Sequence, residues 1–572
     1  MKRSADSEAR GFRLRAGFAF ALLVLGAGGL LTRAVYLQVF HNDYLKQQGD
    51  ARSVRVMRTQ AMRGSIFDRD GQPLAVSTPE ASAYADPRVL ATVPDRWNAL
   101  ARALHTNPAE FKQTISRSQN RSFIWLARHL KPDEEAAVRN LEVPGVSFRQ
   151  ELGRYYPQAE VTGQLLGYTD IDDMGSEGIE LAWDSQLAGQ PGSKRVIQDR
   201  MGRVVEDVES IAAARPGRDV TLALHSGIQF LAYRELKGAI EANRAPSGSI
   251  VVIDVLTGEI LAMVNQPSFN PNNGAQRKPA LVRNRAATDY LEPGSSIKPF
   301  MLAVALESGR FTPASMIDTS PIMLGNEPLV DEHPLGTIGL ATVLAKSSNV
   351  GMAKIALDLK PQQIWTTLTQ LGFGRVTASH FPGESAGVLA NYSQWSKVGI
   401  ASMSRGYGIA VTPLQLAQAY AAIGALGVLR PASLERVDGP VQGERVISER
   451  TARELIKLLE GVVTEGTGTK AVIPGYRVAG KTGTAKKTGA NGQYEDHYVA
   501  VFGGVAPASN PRLAAVVIID DPTAGRYYGG DVAAPVFSAV VGGGLRLMGV
   551  APDAGTGPTP DPLIQAPTMV SR

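Results

Sequence analysis

Cysteine is absent from the 572 residues. That removes disulfides, thiol nucleophiles and thiolate-bound zinc together, and it suits an oxidising compartment where a stray thiol is a liability. Histidine is scarce, with seven in all, and none stands in an HxxxH or HxxEH pair that would bring two imidazoles to one metal. Neither a metal nor a cofactor is expected. Charge of one sign is missing too: 59 Lys and Arg against 54 Asp and Glu leave a surplus of five, spread along the chain with no stripe. Nucleic acid is therefore not an expected partner. Long hydrophobic runs occur at one place only, near the start.

What remains is ordinary folded-protein composition, 44% hydrophobic and 20% charged, in a chain too long for one core, so two or three domains are expected. The one apolar run is AGFAFALLVLGAGGLLT between Arg15 and Arg33. As a helix it nearly spans a bilayer core, with both arginines reaching outward. The small residues Gly26–Gly29 would also suit a cleavage site, but the apolar stretch runs past them and helical periodicity continues to Gln48, so an anchor is expected. Lys2, Arg3, Arg10, Arg13 and Arg15 precede the span, and the positive-inside rule then keeps residues 1–15 cytoplasmic, places 16–36 in the membrane and exports the rest.

Beyond the membrane, Ala51–Ser77 alternates polar and apolar residues around Asp70-Gly71 and reads as strand, turn, strand. Arg63, Arg154, Glu177 and Glu180 suit either a structural ion-pair set or a partner surface. Near Arg215-Pro216-Gly217 a turn closes this half. The second half opens with a helix in GIQFLAYRELKGAIEAN and a hairpin, SIVVIDV and EILAMVN. It closes with three strand candidates, YRVAGKTGTA, YVAVFGGVA and RLAAVVIID. Between them Thr412 caps a helix with Pro413 at its first position, and Ser448 caps another through about Thr464. Two strands, a helical middle and three strands make an α+β layer, an antiparallel sheet flanked by helices. The tail 550–572 is expected to be disordered.

Three short elements carry the chemistry. LEPGSSIKPF puts Ser295 at a helix mouth with Lys298 one turn later on the same face. There the free N–H groups and the helix dipole favour negative charge. LAKSSNVGMAKIA supplies Ser347 and Asn349, and YRVAGKTGTA supplies Lys481, Thr482, Gly483 and Thr484. A serine hydroxyl needs a group to take its proton, and no motif positions a histidine. Lys298 is the candidate base, neutral through burial and the field of Lys481. Ser347 would relay a proton, Asn349 would hold Lys298 and a substrate amide, and Lys481 with the hydroxyls of Thr482 and Thr484 would attract a carboxylate. Gly483 would let a substrate backbone approach, and the N–H groups of Ser295 and Thr484 would form an oxyanion hole. Taken singly, each residue has a local alternative as cap, turn former or edge protection.

The segment GYRVAGKT, Gly475 to Thr482, also satisfies a phosphate-loop expression, but the glycine-rich GTAKKTGANGQYED that follows is no helix, which argues against an ATPase.

In order and context, the three elements resemble the set shared by penicillin-binding proteins and class A β-lactamases. With RGSIFDRDGQPLAVS, GRYYP, GSEGIELAWD, NQPSFNPN, SRGYGIAVTPLQLAQAY and YYGGDVAAPVF, the chain looks like a class B penicillin-binding protein, a peptidoglycan D,D-transpeptidase, most similar to the septal FtsI type. The resemblance implies a non-catalytic, elongated mixed pedestal over 37–217 and a β-lactamase-like transpeptidase domain over 218–549. It implies peptidoglycan stem peptides as donor and acceptor, β-lactams as inhibitors, and an FtsW-like glycosyltransferase with other division proteins as partners in the bacterial inner membrane. It also places Tyr407, Tyr528 and Gly529 at the cleft. His225 stands where the family usually has Asp, and Gly325–Ile338 has no counterpart we can match. No ExxLN element lies between SSN and KTGT, which argues against a β-lactamase. An elongation-type role, a carboxypeptidase, and a membrane-tethered scaffold or β-lactam receptor remain as alternatives.

Overall fold

The computed structural model describes residues 3–43, 54–198, 204–439, 441–489 and 491–555. Helix α1 (Arg3–Val35) continues helically to Phe40, and Gly11–Phe40 is long and apolar enough to cross a membrane. Residues 44–48 of the helical periodicity expected to Gln48 lie outside the described residues, as does 556–572 of the expected disordered tail.

By contacts the chain forms two compact units, interleaved in sequence: Met1–Met62, Glu80–Glu151 and Gly189–Pro216 in one, and Arg63–Pro79, Leu152–Ala188 and Gly217–Arg572 in the other. Two stretches of the expected 37–217 pedestal thus pack with the second unit. In the first unit, β1 (Val54–Thr59), β2 (Gly192–Gln198) and β3 (Val204–Ala212) form an antiparallel sheet in that order. The strand, turn, strand expected over 51–77 holds around Asp70-Gly71 but not for its first strand. Val54–Thr59 pairs with 192–198, and the turn at Gly71 instead joins Ile66–Phe67 to the strand starting at Pro73. Glu80–Glu151 of this unit form a small lobe whose core includes Trp97, Leu100, Phe111 and Ile115.

The second unit is built on a sheet. Helix α2 (Ser226–Ala242) leads into β4 (Ser247–Asp254) and β5 (Ile260–Gln266). Then come α3 (Lys298–Glu307), α4 (Asn349–Leu357), α5 (Pro413–Gly424) and α6 (Glu449–Thr464). The strands β6 (Ala479–Thr488), β7 (Tyr494–Ala506) and β8 (Leu513–Asp520) and the helix α7 (Ala534–Leu547) complete it. The sheet order is β5-β4-β8-β7-β6, antiparallel throughout, so the early hairpin docks against the last strand and β6 is an edge. Strands β4 and β8 are apolar on both faces because both are covered. Val251, Ile253 and Val516 face a core shared with α3 and α5, while Ile250, Val252 and Val517 face one shared with α2 and α7.

Local signals act as read. Thr412 and Gln415 form a reciprocal capping box ahead of Pro413, and Ser448 caps α6. His225 is the cap of α2: its Nδ1 accepts from Gly227 N at 3.2 Å, doing an Asp's work with a ring nitrogen. After Lys481 the chain stays in strand to Thr488, with no helix to receive a phosphate. The start of the expected disordered tail is tied down, since Val550 O accepts from Tyr476 and the Asp553 carboxylate accepts from Arg477 N.

Of the four charges read as a set, three meet. Glu180 accepts from Arg63 Nε at 2.7 Å and from Arg154 Nε at 2.7 Å, with all three side chains at most 2% exposed. Asp184 joins them, accepting from Arg63 Nη1 at 2.6 Å. Glu177 forms no ion pair among the described residues, and burial pushes its pKa up.

Candidate active site

Pro293 ends an extended stretch, and a tight helical turn over Gly294–Ile297 leads into α3, which leaves Ser295 half-buried and Lys298 wholly buried. Gly294 takes φ +54°, and the SRGYG loop presses against it so closely that a Cβ on Gly406 would lie 2.1 Å from Gly294 O. Only glycine permits that approach. On the other side β6 packs against the turn: a Cβ on Gly483 would lie 2.7 Å from Pro293 O and 3.2 Å from Ser296 N. Gly483 thus admits the serine's own turn against β6.

Lys298 reaches the SSN element. Its Nζ lies 2.6 Å from Ser347 O, 3.1 Å from Ser347 Oγ, 3.3 Å from Ser348 O and 2.9 Å from Asn349 Oδ1. Ser347 holds φ +56°, a left-handed conformation costly for a residue with a Cβ. That conformation belongs to the residue whose carbonyl and hydroxyl both reach the amine. Burial drives the Lys298 pKa well below the usual lysine range, Lys481 and Arg405 push the same way, and Asp331 opposes them. An ammonium would satisfy three of the surrounding acceptors. A neutral amine would donate two hydrogens and keep a lone pair.

Lys481 is equally buried, and burial lowers its pKa to about 7. Its Nζ donates to Thr482 O at 3.1 Å and to Thr482 Oγ1 at 3.3 Å. Thr482 Oγ1 is also 2.6 Å from Thr467 Oγ1, and Thr484 Oγ1 accepts from Gly529 N at 3.1 Å, leaving its own hydrogen free. Ser295, Ser347, Asn349, Thr482, Thr484 and Tyr528 line one cleft of about 520 Å³, in which Gly530, next to Gly529, also stands. Tyr407 stands apart from that lining, against Tyr494 with ring centroids 5.2 Å apart.

Two residues of the site escaped the sequence reading. Asp331 lies in Gly325–Ile338, the stretch that matched nothing. Its Oδ1 accepts from Asn349 N at 2.6 Å and Val350 N at 3.1 Å, and its other oxygen accepts from Ser348 Oγ, so it closes the N-terminus of α4 from outside the helix. Glu292, three residues before Ser295, accepts from Gly408 N at 2.7 Å and Tyr494 OH at 3.3 Å and so ties the SRGYG loop to β7. An acidic residue directly before Pro-Gly-Ser was the available signal for Glu292. Nothing local marks Asp331, because the groups it caps lie 18 and 19 residues away.

Residues 248–542 match the penicillin binding protein transpeptidase domain, and residues 58–222 match the penicillin-binding protein dimerisation domain. The chain belongs to the class B penicillin-binding proteins. Among its relatives is the peptidoglycan D,D-transpeptidase FtsI of Escherichia coli, 44% identical over 94% of this chain and 92% of that protein. The probable peptidoglycan D,D-transpeptidase PbpC of Pseudomonas aeruginosa is 40% identical over 93% and 95% of the two chains. Among solved structures, the transpeptidase domain of Burkholderia pseudomallei penicillin-binding protein 3 is 41% identical, with a TM-score of 0.54 over 58% of this chain and 98% of that one. Penicillin-binding protein 3 of Mycobacterium tuberculosis, complexed with aztreonam, is 26% identical, with a TM-score of 0.68 over 87% and 98%.

Proposed function

We propose that this chain cross-links peptidoglycan as a serine D,D-transpeptidase, with Ser295 as nucleophile. The observation that carries the residue assignment is the wholly buried Lys298 amine, held against the SSN element one turn from Ser295. Lys298, as neutral amine, takes the hydroxyl proton while Oγ attacks the penultimate D-Ala carbonyl of a donor stem. The N–H groups of Ser295 and Thr484 receive the developing oxyanion. Collapse breaks the peptide bond, the proton passes through Ser347 to the leaving nitrogen, and D-Ala departs, leaving an ester on Ser295. The amine of a second stem then attacks that ester, returns a proton to Ser295 and closes the cross-link. Asn349 holds Lys298 and the donor amide, and Lys481 with Thr482 and Thr484 receives the donor carboxylate. Tyr528 and the Gly529-Gly530 turn border the donor's path, and Tyr407 stands outside it on the SRGYG loop. A β-lactam enters by the first half-reaction and stays as an acyl-enzyme.

Gly11–Phe40, among the described residues the one helix long and apolar enough to cross a membrane, anchors the chain. The basic residues before it keep the tail cytoplasmic and place the catalytic unit outside, where its substrate is. Similarity to FtsI supports a septal role with an FtsW-like glycosyltransferase and division proteins as partners. Fluorescent penicillin should label the wild type and not Ser295→Ala. Label that survives Ser295→Ala rejects the assignment. Repeated turnover of a chromogenic cephalosporin would instead indicate a β-lactamase. A tagged copy at midcell supports the septal role, and sidewall signal replaces it with elongation.

A further inference from the structure

Lys481 is wholly buried and does not line the cleft around Ser295. A carboxylate in that cleft therefore meets the lysine's charge through the groups that the amine holds, and one of these is Thr482 Oγ1. Thr482 is itself only 7% exposed, and its hydroxyl oxygen lies 2.6 Å from that of Thr467. Thr467 is exposed, and both threonines line the cleft.

Two hydroxyls at that distance share one hydrogen and leave the other for a third partner. The amine decides which. Lys481 Nζ donates to Thr482 Oγ1 at 3.3 Å, so a lone pair of that oxygen faces the lysine and its hydrogen is turned away, towards Thr467. Thr467 Oγ1 then accepts, and its own hydrogen is left for the cleft. Ammonium, hydroxyl and hydroxyl polarise one another in one sense, which makes the last of them a stronger donor than an isolated alcohol. The backbone of Thr467 is fixed on two sides: its N donates to Ala345 O at 3.3 Å, and a Cβ on Gly530 would lie 2.3 Å from Thr467 O. The other lysines of the lining are poorer partners for a carboxylate. Lys470 pairs with Asp531 at 2.6 Å, and Lys346 is exposed, where water weakens its pull.

We propose that Thr467 is a substrate-binding residue: its hydroxyl donates to the terminal carboxylate of the donor stem, or of a β-lactam in its place, and brings the Lys481 charge to it by way of Thr482. Thr467 takes this role within the transpeptidase reading, on which it rests, and joins Lys481, Thr482 and Thr484 from outside the three motifs.

The test reacts the full chain in detergent with benzylpenicillin and, separately, with its methyl ester, which keeps the lactam and lacks the carboxylate charge. Acyl-enzyme is timed by mass spectrometry of the intact chain. The ratio of the two rates reads the carboxylate contact and does not depend on the fraction folded. Wild type should favour the free acid. In Thr467→Val the ratio should fall about tenfold or more, the scale of a hydrogen bond to a charged group, and Thr467→Ser should restore most of it. A structural role for Thr467 would slow both compounds alike. An unmoved ratio in Thr467→Val, whether or not both rates drop, therefore overturns the proposal, as does a ratio that falls equally in Thr467→Ser. If neither compound acylates Ser295 of the wild type, the transpeptidase reading fails and this role with it. Acylation of wild-type Ser295 with an unmoved ratio in Thr467→Val removes this role alone.

Discussion

Arg63, Arg154 and Glu180 are buried as deeply as Lys298 and Lys481, yet protein surrounds the two groups in opposite ways. In the first cluster every charge has a counter-charge. Burial works against the Arg63 cation, but Glu180 and Asp184 outweigh it and its pKa is raised. In the second cluster two lysines are buried with no carboxylate in ion-pair contact among the described residues. The acceptors around them are carbonyls, hydroxyls and an amide. Burial lowers the pKa of both. The paired cluster holds its charge permanently and can do no proton chemistry. The unpaired one is poised to give and take protons at the cost of stability, the usual trade at a working site.

The largest effect should come from removing the unpaired amine. Lys298→Met deletes the proposed base and should lower the rate of acylation by a fluorescent penicillin by about 10² to 10⁴. It also takes a polar amine out of a fully buried site that disfavours its charged form, so its melting temperature should equal or exceed that of the wild type. A Lys298→Met chain that acylates normally, or melts far below wild type, would place Lys298 with the structural charges. Glu180→Gln is the converse. It leaves Arg63 and Arg154 buried without their shared counter-charge, which should cost about 3–5 kcal/mol. Full labelling at low temperature together with an early melt is the expected pairing. A normal melt would mean that the cluster does not hold the fold.

Titration separates the clusters further. A lysine whose folded pKa lies below its unfolded value binds fewer protons folded than unfolded between the two, so stability rises with pH across that window. For Lys481 the window opens at about 7 and closes at its ordinary value of 10.5. His497 acts in the opposite sense: its hydrogen bond to Asp521 raises its pKa, and that stabilisation fades as pH climbs. Wild type should therefore be compared with Lys298→Met/Lys481→Met at each pH. The wild-type melting temperature should gain on the variant between about pH 7 and 9, and a constant gap would show that neither lysine loses its proton on folding. Acylation should fall over the same range as the carboxylate-attracting charge on Lys481 is lost, and Lys481→Arg should flatten that limb, since guanidinium stays charged.

Ser295, Lys298, Ser347, Asn349 and Lys481 were legible because each sits in a short motif whose geometry is local: three residues of helix, one tight turn, one strand. The order of the five-stranded sheet was half legible. Apolar runs announced the strands, but the docking of β4 beside β8 depends on pairing across more than 250 residues, which no local pattern records. The pairing of Val54–Thr59 with 192–198 was missed for the same reason, while Asp70-Gly71 offered a nearer and plausible turn. The buried set around Glu180 was read nearly whole, with Glu177 in place of Asp184. Sequence shows that charges are available without showing which of them the fold turns inward.

Asp331 is where the two kinds of buried charge meet, and it supplies the finest test. Its carboxylate forms no ion pair among the described residues. It accepts from two backbone N–H groups and a hydroxyl at the mouth of α4 and so fixes Ser348 and Asn349, against which Lys298 rests. Losing such a cap costs about 0.5–2 kcal/mol. If the cap were only structural, Asp331→Ala would lower the melting temperature and leave acylation intact. If it positions the lysine's acceptors, acylation should fall about tenfold beyond any loss of folded protein. Asp331→Asn should restore most of that rate, because its amide oxygen still accepts from Asn349 N and Val350 N while its NH₂ donates to Ser348 Oγ. Equal rates for the Ala and Asn variants would show that the carboxylate's charge, acting on Lys298 through space, matters more than the bonds it makes.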